Sequence, residues 1–235
     1  MRTSTKIVSV IASTALVVGA GALAAAPAGA KPKGPQPTGT TVINVPMAII
    51  TAAADDSVTI APIAPSEGLA TATSVGLTFP ITGPAMDGGV NHLGGISLAS
   101  GITGITLTLT KPVVSWPTGR AKPLTGTISA TINGIPDSVP LKTLNGTPIN
   151  VFDVKNMKIV VTTGKVEKNG SKGYKRTDTQ KITGVVTLYN NQLIVDGING
   201  LMGTPGLFKP GMPFGTLDTS WSMTRTCKTK AECKA

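Results

Sequence analysis

Apolar and polar residues alternate along much of this chain with a period of two. The clearest run is Ile105-Thr106-Leu107-Thr108-Leu109-Thr110, with three aliphatic residues on one face and three threonines on the other. Such alternation predicts a half-buried antiparallel strand. Ile128-Ser129-Ala130-Thr131-Ile132 repeats the pattern and stops at Asn133-Gly134, a strong turn signal. Further strands are expected over residues 41–50, with Pro46 at an edge or bulge, and over 71–79, 159–163, 182–189 and 215–223. Asn190-Asn191 is expected to turn the chain into a short strand over 192–195 as a hairpin. Helix signals are poor. Residues 198–207 form a modest candidate that Gly200, Gly203, Pro205 and Gly206 limit to about a turn or two.

Turn signals recur at roughly 8–12 residues, which predicts about eight to twelve strands. The fold class expected is all-β: an antiparallel β-sandwich or twisted-sheet domain with little helix. A weak break over 140–147 would divide it into two layers or subdomains.

The ends of the chain differ from this pattern. Arg2 and Lys6 precede an apolar stretch from Ile7 to Ala26, and Ala28-Gly29-Ala30 follows with the small-x-small form of a signal-peptidase site. Residues 1–30 are therefore expected to be a secretory signal peptide cut after Ala30, with the working protein secreted, extracellular or held at the envelope. Residues 31–41 (KPKGPQPTGTT) are rich in Pro and Gly and predict a flexible leader. The β-rich domain should span 42–225, and 226–235 form a basic tail. Cys227 and Cys233 are the two cysteines, and a secreted chain with an even count predicts a disulfide that clips this tail. No Cys directly follows the signal peptide and no apolar C-terminal helix is evident, so neither a lipid anchor nor a transmembrane segment is expected in the mature chain.

The formal charge is +10, and about +8 without Arg2 and Lys6. That balance favours anionic cell-surface polymers or lipid headgroups as partners. The sharpest basic feature is Lys165, Lys168, Lys172, Lys175, Arg176 and Lys181, opposed by Glu167 and Asp178 around an Asn169-Gly170-Ser171 turn signal. A protruding finger of this kind could hold a polyanion by screened Coulomb attraction, or be a solvated hairpin kept soluble by its lysines. Arg225, Lys228, Lys230 and Lys234 extend both readings into the tail. Nucleic acid is not expected, because stacking needs interleaved aromatics and Tyr174 stands alone there.

Catalytic constellations are sparse. The chain has no G-x-S-x-G elbow, and a Ser-His-Asp triad would have to use His92, the single histidine. Asp55-Asp56 are adjacent carboxylates in an Ala-rich stretch, and Asp87-Gly88-Gly89 lacks the repeated acids of a calcium loop. His92 is the candidate ligand-binding residue, with glycines around it that would let a flat ligand approach the backbone. Its alternative role is to cap a turn by bonding a nearby carbonyl. Trp116, before Pro117, is expected to face outward, and Trp221 to lie in the core.

Three stretches together resemble secreted actinobacterial β-domains of the HtaA-like type: Leu77-Thr78-Phe79-Pro80-Ile81-Thr82-Gly83, then Gly88-Gly89-Val90-Asn91-His92-Leu93-Gly94-Gly95-Ile96, then ITLTLTKPVV from Ile105 to Val114. Val151-Phe152-Asp153-Val154 and Phe214-Gly215-Thr216-Leu217 are similar to later segments, so the resemblance spans about residues 70–222. Some HtaA domains bind haem through a Tyr and a His, which implies haem as a possible cofactor held against His92. The family's ligand Tyr lies in an aromatic-rich N-terminal segment, whereas residues 31–78 here hold no Phe, Trp or Tyr.

The leading expectation is a secreted, non-enzymatic, envelope-associated or extracellular β-rich binding or structural protein. The alternatives are an HtaA-like haem carrier using His92, and an extracellular hydrolase with groups converging from distant strands. No metal site is expected.

Overall fold

The computed structural model describes residues 38–85, 88–117 and 125–234. The expected signal peptide, most of the leader, and Asp87 lie outside the described residues.

Among the described residues, twelve strands form one antiparallel sheet that closes on itself. The ring runs through β1 (Thr38–Pro46), β4 (Ser74–Ala85), β5 (Gly89–His92), β7 (Thr106–Ser115), β8 (Thr125–Asn133), β9 (Pro148–Thr162), β11 (Tyr174–Leu188) and β12 (Pro213–Cys227), and β12 pairs back to β1. β6 (Gly95–Ser100) continues the line of β5 along the same edge of β7, with β2 (Val58–Ile63) on its other side. β3 (Glu67–Ala70) pairs β4, and β10 (Val166–Lys168) pairs the start of β11. The protein is thus all-β and antiparallel, as expected, and its sheet closes into a barrel. Closure removes edges that a two-layer arrangement would leave unpaired.

The threonine alternation explains the inside of the barrel. Leu107 and Leu109 of β7 and Ile128, Ala130 and Ile132 of β8 are buried, while the intervening Thr and Ser stand outward. Leu77 and Phe79 of β4 and Ile43 and Val45 of β1 join them. The Phe152 and Phe214 rings meet with centroids 4.7 Å apart. The interior is packed: the voids among these residues measure about 30 and 20 Å³, room for a water or so and nothing larger.

Two interruptions shape the ring. Gly94, at φ +76°, turns the chain between β5 and β6. A Cβ there would run into Ser66 and the Ile63 carbonyl, so only glycine fits. In β7, Lys111 takes φ +51° before Pro112, which has no N–H, and the register with β8 shifts between Thr110 and Val113. The Pro112 carbonyl is thereby freed from the ladder.

Two expected strands are corrected. The strand over 41–50 ends at Pro46, and Met47–Asp55 form helix α1, whose Ala-rich turns suit a helix. No strand covers 192–195; Gln192–Met202 form helix α2, which also begins earlier than the expected turn over 198–207. The Asn191 side chain accepts from the Ile194 N–H at 3.2 Å, capping α2, and Gly203 ends it in the left-handed conformation. Val195, Leu201 and Met202 are buried by it. Asn199 holds Phe208 by bonds to both its carbonyl (2.8 Å) and its N–H (3.0 Å). Around 140–147, a short 3₁₀ turn (Pro140–Leu144) links the paired strands β8 and β9, so the sheet runs unbroken across the expected division.

Candidate functional site: a buried histidine and a basic arm

His92 ends β5 with its ring inside the barrel, and the residue is 3% exposed. Nδ1 lies 3.0 Å from the carbonyl released at Pro112. A carbonyl only accepts, so Nδ1 carries a proton. Nε2 lies 2.6 Å from Thr41 Oγ1, itself 2.9 Å from Thr219 Oγ1. Thr41 and Thr219 are register partners on β1 and β12 with inward side chains, so the cross-strand pair delivers its hydroxyls to the ring. Phe79 meets the imidazole edge-on at 6.5 Å. Burial lowers the His92 pKa to about 4, against a smaller opposing effect of the Pro112 bond. The ring is neutral at neutral pH.

That geometry is the carbonyl-bonded role weighed for His92 in the sequence. Both ring nitrogens are engaged and the site is enclosed, so Nε2 is not free to meet an iron or a flat ligand. Asp55 and Asp56, the paired carboxylates, are exposed at the end of α1. Among the described residues no group of three His, Cys, Asp or Glu could hold a metal.

The basic residues occupy an arm. Among the described residues, the pairing of β9 with β8 reaches Lys155, and that of β12 with β1 reaches Ser222. Beyond those points β9, β11 and β12 run on together, joined by β10. At the tip, Gly170–Lys172 make a single 3₁₀ turn. Cys227 and Cys233 are joined, and the disulfide folds helix α3 (Lys230–Lys234) back over the arm.

Arg176 is where the expected polyanion finger needs correction. It is 6% exposed and gives two bonds to Asp178 Oδ2 (3.0 and 3.1 Å) and one to the Lys234 carbonyl (3.1 Å). Its i and i+2 spacing from Asp178 puts both on one strand face. Its job is to dock α3, not to meet a polymer. Lys181 pairs with Asp218 at 2.9 Å, and Lys175 with Glu167 at 3.4 Å. Lys165, Lys168 and Lys172 are exposed and form no ion pair among the described residues.

Sequence reasoning missed the groove beside this arm. Directly paired residues share a face, so the register places Val161, Gln180 and Trp221 in one row and Asp178 and Met223 in the next. With Arg225 they line an open cleft of about 380 Å³. Trp116 is half-buried against Trp221, with ring centroids 6.2 Å apart, and so stands less outward than expected, while Trp221 is buried as expected. The period-two pattern of β11 and β12 carried the signal, but only their register aligns the two rows.

The fold and this surface define a closed antiparallel β-barrel with a basic, disulfide-clipped arm. No protein-family model matches the chain, and no curated protein does. Among solved structures, the C-terminal domain of HtaA from Corynebacterium glutamicum is similar, at 13% identity and a TM-score of 0.44, over 79% of this chain and 99% of that one. It is a weak resemblance, the one the sequence motifs suggested.

Proposed function

We propose that this is an extracellular, non-enzymatic barrel that holds anionic polymers of the cell envelope at the tip of its arm. The observation that carries the reading is charge segregation. Twelve of the fifteen described Lys and Arg residues fall within 155–181 and 225–234, while Lys111, Lys142 and Lys209 serve the rest. Such a one-sided field attracts polyanions and weakens with salt. The disulfide fits an oxidising compartment. No helix among the described residues is long and apolar enough to cross a membrane. The enclosed His92 and the exposed aspartates support a binding role over hydrolysis.

The test is retention on teichoic-acid-bearing cell walls along a salt gradient. Lys165→Glu, Lys168→Glu and Lys172→Glu combined should move elution to markedly lower salt, and unchanged retention refutes the reading. A haem carrier, the second reading, would need Nε2 released from Thr41. A saturable Soret band lost in His92→Ala would favour it.

A further inference from the structure

The groove beside the arm has a polarity of its own. One end is apolar: Val161 is 62% exposed, beside Trp221 and Met223. The other end is cationic. Arg176 and Arg225 both donate to Asp178 Oδ2, at 3.0 and 3.2 Å, so two guanidiniums share one carboxylate. Asp178 Oδ1 accepts from the Gly164 N–H at 3.1 Å, which leaves that carboxylate fully engaged. Arg176 is consumed by Asp178 and α3, whereas Arg225 commits one N–H to Asp178 and lines the groove with its others. Gln180, between the two ends, makes no side-chain hydrogen bond among the described residues.

An unbalanced positive charge therefore closes one end of an apolar cleft, with a free amide midway. The cleft, at about 380 Å³, lies in the small-ligand range of about 300–1,000 Å³. It is too small for a polymer, and it lies on the face between the barrel and α3, apart from the lysine tip. We infer that this groove binds a single-chain carboxylate amphiphile, the aliphatic chain along Val161, Trp221 and Met223 and the carboxylate on Arg225. The planar guanidinium matches a carboxylate in a two-point bond. The chain covers Val161 surface that now faces water.

The test uses the purified full chain with Trp116→Phe, so that emission reports Trp221. Dodecanoate is titrated below its micelle concentration by calorimetry, and an ω-bromo fatty carboxylate is used to quench a tryptophan it touches. Saturable heat with quenching of Trp221 is expected. Arg225→Gln should weaken binding about tenfold or more, as loss of a charged hydrogen bond predicts, with Arg225→Lys recovering part. Val161→Ser should weaken it with Arg225 intact, and circular dichroism verifies that each variant folds. Absence of saturation, an equal response to dodecyltrimethylammonium, or unchanged affinity in Arg225→Gln overturns the proposal. Association with phosphatidylglycerol vesicles in place of the monomer also overturns it, by assigning the surface to a bilayer. The Lys165, Lys168 and Lys172 substitutions that test wall retention leave Val161, Trp221, Met223 and Arg225 in place, and Val161→Ser changes no charge, so this groove and the polymer-binding tip can fail separately.

Discussion

Acid should destabilise this protein through His92, and by a calculable amount. An unfolded histidine titrates near 6.5, while in the barrel its pKa falls to about 4 because burial penalises the imidazolium. The neutral form is the one that fits, so this contribution is fully present above 6.5 and is lost as pH falls through the window from 6.5 to 4. In that window the unfolded chain takes up a proton that the folded chain refuses, and the loss grows at about 1.4 kcal/mol per pH unit. It reaches about 2 kcal/mol at pH 5 and levels near 3 kcal/mol below pH 4. The assay is urea unfolding followed by tryptophan emission at neutral pH and at pH 5. With a slope of about 2–3 kcal/mol/M, the midpoint should drop by roughly 0.7–1 M between the two. Carboxylates also titrate, so the comparison is with His92→Gln. Its amide can still bond both Pro112 and Thr41, and it has no proton to gain. That variant should lose about 1–3 kcal/mol at neutral pH, but most of the extra acid sensitivity should vanish. Equal acid losses in both proteins would refute the reasoning. They would mean the barrel holds imidazolium, with Nε2 donating to Thr41 and Thr41 in turn to Thr219.

Other substitutions test the packing. Gly39→Ala should cost about 2 kcal/mol or more in the same unfolding assay, because a Cβ there would run into the Ser220 carbonyl and Trp221. Gly200→Ala, in α2 with nothing within 4 Å of the added methyl, should instead gain about 0.5–1 kcal/mol. Arg176→Met should cost about 2–3 kcal/mol, less than a fully orphaned charge because Asp178 keeps Arg225, and faster amide exchange in α3 should accompany it. Reducing the Cys227–Cys233 bond should cost about 2 kcal/mol at most, as expected for so short a loop, and protease digestion should then begin in the tail.

The strands that alternate were legible because their burial is local in origin. Leu107 to Leu109 and Ile128 to Ile132 fall on the inner face wherever the sheet closes. Helix α2 was not legible, since Gly197, Gly200 and the β-branched Ile194 and Val195 all argue against a helix. Burial of Val195, Leu201 and Met202 overrides them, and the Asn191 cap and Gly203 stop become meaningful only once that packing is known. The same holds for Arg176. Its partner Asp178 is two residues away, but the Lys234 carbonyl and the competing Arg225 arrive through β12 and the tail. His92 was legible as a candidate, whereas its partners Thr41, Pro112 and Thr219 come from three distant strands.

The seam between β1 and β12 sets the order in which this molecule can assemble. Thr38 pairs with Ser222 and Asn44 with Thr216, so the first strand finds half of its backbone partners only in the last. While the chain is being made, or threaded through any pore from its N-terminus, β1 can dock on β4 alone, and the ring stays open until β12 follows. Contacts so far apart in sequence close slowly, because the intervening loop's entropy must be lost before they form. The folded form is therefore an all-or-nothing product of the completed chain. A protein cut short before β12 would keep the inner residues of β1 and β11 exposed along an unpaired seam.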